Sequence, residues 1–374
     1  MKTRRYSAID FIFPDDGVML TKATGTPTEK GIEITVSLDA SSGRRMTLNG
    51  EPMAETLFGV YTRTIELSEY KTALVARDED SGEVCAIDVY YLKKGYKKYR
   101  FSLDDNIRFL LNLTKNKDVY KSMFEDPYLA VLKKIHDTYG SKFHVNIYYE
   151  TPLFGGFNLT EMTDKYKDEW KANSDWLRLS FHANADKPDR PYAHVSYEQM
   201  YFEAERVHKE ILRFAGEEAF AGTITTVHWG DCTVEGARAL RDLGYRAFVS
   251  VYNKTERGVD IRMYLDSEKC EILRKYGFYY DKEENIYHFK YNGNIQHITP
   301  DKIEAQFDEH VVERPNYLFM DICVHEQYFY PDYPEIPHQP TYLEKFDISA
   351  RWCREHGYEP MFMDEIFEFD THNN

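Results

Sequence analysis

The segment YRFSLDDN, residues 99–106, carries an alternating apolar and polar run into two adjacent carboxylates, Asp104 and Asp105. Alternation is the spacing of a β-strand. Neighbouring carboxylates repel, so the pair calls for a cation, a proton or several N–H donors beside it. One of them suits the N-cap of the helical segment that follows, NIRFLLNLTKN, and the second is left for other chemistry. Further strand-like segments end in Glu150, in His182, in His228 followed by Trp229, and in His325 followed by Glu326. In a parallel β/α protein the carboxyl ends of the strands form the edge where several loops build one active site. Carboxylates and imidazoles gathered there can hold a divalent ion and move a proton. His325-Glu326 also begins like the zinc-protease helix pattern H-E-x-x-H. Phe329 stands at its last position and the segment reads as a strand end, which excludes that chemistry.

These residues carry a resemblance. SLDDN, then SFHANAD, TVHWGDCTVEGARALRDLGYR and LFMDICVHEQ, resemble the motifs of the NodB-type polysaccharide deacetylase family over roughly residues 99–363. The resemblance implies an irregular seven- or eight-stranded (β/α) barrel, one divalent metal ion with zinc foremost, and removal of an N- or O-acetyl group from a carbohydrate. It implies Asp104 as catalytic base, Asp105 and His182 as metal ligands, and His325 as the acid. Asp186 stands where the family's second motif histidine belongs, and a carboxylate can replace imidazole on zinc. His228 and His194 are the reserves for that third position. Trp229-Gly230 matches the aromatic-Gly of the third motif, and His228, Trp229, Glu326 and Tyr328 are the expected substrate contacts. Two further departures are Asn106 in place of a glycine and Thr226 in place of the arginine that would pair with the base. Nothing in the sequence then orients Asp104. A metal-independent glycosidase using Asp104 with Glu150 or Glu326, and a catalytically silent carbohydrate-binding protein, are the alternatives.

The elements that must position these residues fall into two parts. Residues 1–96 read as strands joined by turns, a small all-β sandwich. In GIEITVSL the apolar residues Ile32, Ile34, Val36 and Leu38 alternate with polar ones. Residues 97–374 read as β and α units in alternation, with strands over 99–103, 143–149, 177–181, 224–228, 246–251, 317–324 and 360–363. Such alternation makes a parallel sheet, closed or doubly wound. Residues 278–300 read as an inserted β-hairpin. This hairpin and the Pro/Tyr-rich run after His325 are expected to wall one side of the pocket.

Composition bounds the partners. A formal charge of −16 excludes nucleic acid and anionic lipid as favoured partners and suits a neutral or cationic substrate. The five cysteines are scattered without a CxxC pair, so reduced, buried thiols are expected. No apolar run of signal-peptide or membrane-spanning length is found, and a soluble, cytoplasmic protein is expected.

Overall fold

The computed structural model describes residues 8–254, 258, 260–316 and 319–367. It is a mixed α/β structure. The segment before Lys98 holds two five-stranded sheets, antiparallel except where Met19–Leu20 runs parallel to Val84–Tyr91. In the long strand Ile32–Ala40 the four alternating aliphatics are buried while Glu33 and Thr35 face out. They pack with Tyr61 and Leu67 of their own sheet and with Leu74, Ala76 and Ile87 of the other into one hydrophobic cluster.

From Lys98 onward the main strands are parallel and alternate with helices, as alternating period-2 and period-3.6 patterns require, with short antiparallel pairs between them. β1 (Lys98–Asn106) leads into helices α1 (Arg108–Lys115) and α2 (Pro127–Tyr139), then β2 (Phe143–Tyr148) and β3 (Leu177–Ala183). Helix α3 (Tyr197–Phe214) precedes β4 (Ile224–Thr225), and α4 (Val234–Asp242) precedes β5 (Ala247–Ser250), β6 (Ile286–Lys290) and β7 (Phe319–His325). Asp126, Ser196 and Thr233 accept backbone N–H bonds at the starts of α2, α3 and α4, which fixes where each helix begins. The order β3-β2-β1-β7 forms one sheet, and β4-β5-β6 with Phe278–Asp281 beyond β6 forms another. They touch at β3 with β4 and at β7 with the segment just past β6. Ser180 Oγ on β3 donates to the carbonyl of Ile224 on β4 at 3.0 Å, and Asp321 N on β7 donates to Asn292 Oδ1, just past β6, at 2.5 Å.

Several expected boundaries move. The strand expected over 224–228 stops at Thr225, and His228 sits in a short helical turn, His228–Gly230. The strand expected over 317–324 begins within the described residues at Phe319, since 317 and 318 lie outside them. A hairpin does occur within 278–300, between Phe278–Asp281 and Ile286–Lys290. Its second strand is β6, parallel to β5, so the hairpin is built into the sheet rather than inserted into it.

Neither aspartate of the opening pair caps α1. The N-cap residue is Ile107, with no side-chain cap of its own. The N–H groups of Ile107, Arg108 and Phe109 donate instead to the carboxylate of Glu326, at 2.7, 2.9 and 2.7 Å. Glu326 is fully buried, so it cannot be the substrate contact expected of it: its three backbone donors hold it under the helix start. Burial pushes its pKa up to about 7 against the pull of those donors. Glu326→Ala leaves the helix start uncapped and buried, and an unfolding titration should show a loss of about 2–3 kcal/mol. A protonation preference this far above the ordinary 4.5 adds stability below that pH and loses it as pH rises through about 7. Wild type should therefore lose stability relative to Glu326→Gln between those two values, and parallel pH profiles for the two proteins would refute it.

Candidate functional site

Successive residues of a strand point to opposite faces, yet Asp104 and Asp105 both line one cavity. The backbone makes this possible. The register of β1 against β2 slips between Leu103 and Asn106, and Asp105 adopts φ 61°, the left-handed region that few non-glycine residues occupy. Asn106, where a glycine was the family's usual residue, needs no such freedom. Its side chain ties the slip in place, donating to the carbonyls of Leu103 at 2.7 Å and Asn146 at 3.1 Å while accepting from Tyr128 at 3.0 Å.

Three donor atoms converge on this point. Asp105 Oδ1 lies 3.0 Å from His182 Nε2 and 3.1 Å from His228 Nδ1, and the two nitrogens are 3.2 Å apart. The far nitrogen of each ring is already committed: His182 Nδ1 donates to the carbonyl of Thr226 at 2.5 Å and His228 Nε2 to that of Asp186 at 3.2 Å. In the neutral rings both inward nitrogens then carry lone pairs, aimed at a carboxylate. That arrangement could hold a cation at its centre, and the Tyr148 hydroxyl, 3.1 Å from His228 Nδ1, is the neutral donor beside it. Ligand atoms about 2.1 Å from one divalent ion, at right or tetrahedral angles, stand about 3.0–3.4 Å from one another, and this triangle fits. Without the ion, protons are drawn in. Burial works against charge on Asp105, but the charge of His325 and the bonds from His182 and His228 outweigh it and hold its pKa well below the usual range. Burial likewise opposes charge on His182, and Asp105 and Asp104 together raise its pKa.

The third converging donor is thus His228, held in reserve for that position by the sequence and also expected among the substrate contacts. The Asp186 carboxylate is not one of the three: its Oδ1 accepts from Gln327 at 3.3 Å and lies 3.4 Å from the Tyr148 hydroxyl, while its carbonyl accepts from His228. His194 is exposed and outside the group. Tyr148, unforeseen from sequence, donates its hydroxyl to Asp105 Oδ1.

Asp104 stands apart from the triangle. Its Oδ1 accepts from Asn146 Nδ2 at 2.7 Å, and the Cys323 thiol lies 3.6 Å from its Oδ2. Thr226 lines the same cavity, but its buried hydroxyl has no hydrogen-bond partner among the described residues. His325, the strand partner of Asp104 on β7, lies beside it, with Nδ1 against the Gln296 amide at 2.6 Å and Nε2 3.8 Å from Asp105 Oδ2. The cavity has a volume of about 340 Å³, and Trp229 and Tyr328 form part of its wall. Trp229 has φ 67°, and Gly230 behind it packs so closely on Ser250 that a Cβ would come within 2.6 Å of the hydroxyl. Tyr291, Asn294, Gln296 and His297 bring the segment after β6 into the same wall. Only the first residues after His325 join them, while Tyr333–Ile336 border a neighbouring cavity of about 860 Å³. Glu150 lines that second cavity. With Glu326 buried under α1, neither glutamate of the expected glycosidase pair shares a cavity with Asp104.

Asn146, Cys323 and Gln296 were missed in the sequence. Asn146 alone left a signal, a polar residue in the centre of the apolar strand FHVNIY.

No family model and no curated protein matches the chain. Among solved structures it is similar to the 4-alpha-glucanotransferase of Thermococcus litoralis, with 14% identity and a TM-score of 0.43, over 72% of this chain and 39% of that one. It thus spans about two fifths of the length of that enzyme. A putative alpha-galactosidase from Bacteroides fragilis shows 10% identity and a TM-score of 0.26, over 92% of this chain and 78% of that one. Bacteroides thetaiotamicron EndoBT-3987, solved with a Man9GlcNAc2Asn substrate, shows 11% identity and a TM-score of 0.24, over 82% of this chain and 86% of that one.

The donor set generates a test of its own. Zinc titrated into the purified protein should bind near one ion per chain, and Asp105→Ala, His182→Ala or His228→Ala should abolish that binding. Asp186→Ala, which keeps the carbonyl bonded to His228, should retain it. Loss of zinc in Asp186→Ala with retention in His228→Ala would reverse the assignment.

Proposed function

We propose that this chain is a metal-dependent hydrolase that removes an acetyl group, from nitrogen or oxygen, from a carbohydrate. The observation that carries the reading is the Asp105–His182–His228 triangle with a second, separately held carboxylate, Asp104, in the same cavity. The contacts of β3 with β4, and of β7 with the segment past β6, support an irregular (β/α) barrel built from β1 to β7. The two sheets before Lys98, enclosing one core, support a small sandwich, with the division near residue 96. The resemblance of the strand-end motifs supplies the acetyl group and the carbohydrate, and Trp229 and Tyr328 offer ring faces to a sugar.

A divalent ion, zinc by preference, would be held by Asp105, His182 and His228 and would supply Lewis acidity at the acyl carbonyl and a more acidic water. The chain's own groups do the rest. Asp104, with Oδ1 engaged by Asn146, keeps Oδ2 to take the proton of the attacking water. His325, beside Asp104 on the neighbouring strand, gives a proton to the departing amine or alkoxide. Gln296 holds the other nitrogen of that ring, so Nε2 is the atom that faces the reaction. The cavity's small size favours a single sugar unit at the reacting centre.

The two aspartates separate the roles. Asp104→Asn should keep the zinc and the fold while cutting acetate release by roughly two orders of magnitude or more, the scale of a lost general base. Asp105→Asn should lose zinc first and activity with it. Acetate release, zinc stoichiometry and melting temperature measured on both variants decide the matter. Full activity in Asp104→Asn would remove it as base, and no acetate from wild type on any acetylated glycan would favour the silent carbohydrate-binding reading.

A further inference from the structure

We infer that Asn146 is the positioning residue of Asp104, filling the role left open where Thr226 replaces an arginine. The inference rests on the reading of Asp104 as the base. Asn146 lies at the centre of β2, fully buried between β1 and β3. Its Nδ2 is 2.7 Å from Asp104 Oδ1 and 3.4 Å from Ser102 Oγ, while its Oδ1 faces Thr225 Oγ1 at 3.4 Å. The orientation of the amide follows from chemistry: an ionised carboxylate only accepts, so the NH2 side must face it. One N–H is then spent on Asp104 and the other points at Ser102. A bond this short to one oxygen stops the carboxylate from rotating about its Cβ–Cγ bond.

The other oxygen is left available. Cys323, the nearest group to Oδ2, is a weak donor at 3.6 Å and competes poorly with a water. Asn146 therefore selects which oxygen faces the cavity. It does so without bringing charge. An arginine would both orient and neutralise the base, whereas an amide orients it and leaves neutralisation to the ion held by Asp105, His182 and His228. Displacing a reacting group by about 1 Å can cost on the order of 100-fold in rate, so an unanchored Asp104 has much to lose.

The test is a double-mutant cycle on the zinc-loaded full chain, with acetate release from an acetylated oligosaccharide as the rate. Asn146→Ala should lower kcat by about 10- to 100-fold, with KM within about twofold of wild type and zinc stoichiometry unchanged. In an Asp104→Asn background the same substitution should add less than about a twofold loss, because the group it positions is gone. Asn146→Asp, of equal size, is measured beside it and guards against a failure to fold: it replaces the donor by an acceptor and should lose at least as much kcat. Equal losses from Asn146→Ala in both backgrounds, a loss that tracks zinc content, or wild-type kcat would each overturn the inference. Those outcomes differ from failure of the functional reading, in which wild type releases no acetate or Asp104→Asn keeps full activity; either result also removes this role for Asn146.

Discussion

Two neighbouring residues on a strand must diverge, and here they converge. Everything at the site depends on one left-handed residue of β1, Asp105, that turns its carboxylate onto the face already held by Asp104. Such a conformation costs on the order of 1 kcal/mol or more, and the surroundings must impose it. They do so from both sides. Asn106 bonds back across the slip to Leu103 and Asn146, and Glu326 anchors the N–H groups that follow. The strain is located where two carboxylates with different partners are wanted in one cavity.

Charge then sets what the cavity can hold. Asp104, Asp105 and Asp321 all line it, and one guanidinium, that of the fully buried Arg100, lies against Asp321 at 2.7 Å. Burial still raises the pKa of Asp321, with Arg100 opposing. His144 is kept uncharged, by burial first and by the Arg100 cation second, so it accepts from that guanidinium rather than adding a charge. Among the described residues no lysine or arginine is paired with the other two aspartates, which have His182, His228 and His325 as their neighbours.

The three histidines come from three strand ends far apart in the chain, and each is fixed by a carbonyl or an amide rather than by a carboxylate. This leaves the acidic groups for the reaction side of the cavity. The rest of the cavity wall, in contrast, includes loop residues, Trp229 and Tyr328 among them, which follow the strand ends rather than lie within them.

The sequence by itself determined the alternation of strands and helices, the buried face of Ile32–Ala40, and the strand ends at which polar residues gather. Each of these is local: it depends on period or composition within a few residues. What only the tertiary structure decided was partnership. Asp186 was the expected third donor and His228 a reserve, yet it is His228 Nδ1 that reaches Asp105 and His182, because the turn after Thr225 brings its ring there while the backbone of Asp186 takes the other nitrogen. Glu326 is adjacent to His325 yet belongs to a helix more than two hundred residues earlier, through three backbone bonds that no sequence pattern encodes. Asn146 meets Asp104 only because β1 and β2 lie side by side with a one-time slip in register. Hydrogen bonds between distant segments are set by how strands pack, and packing is a property of the whole chain.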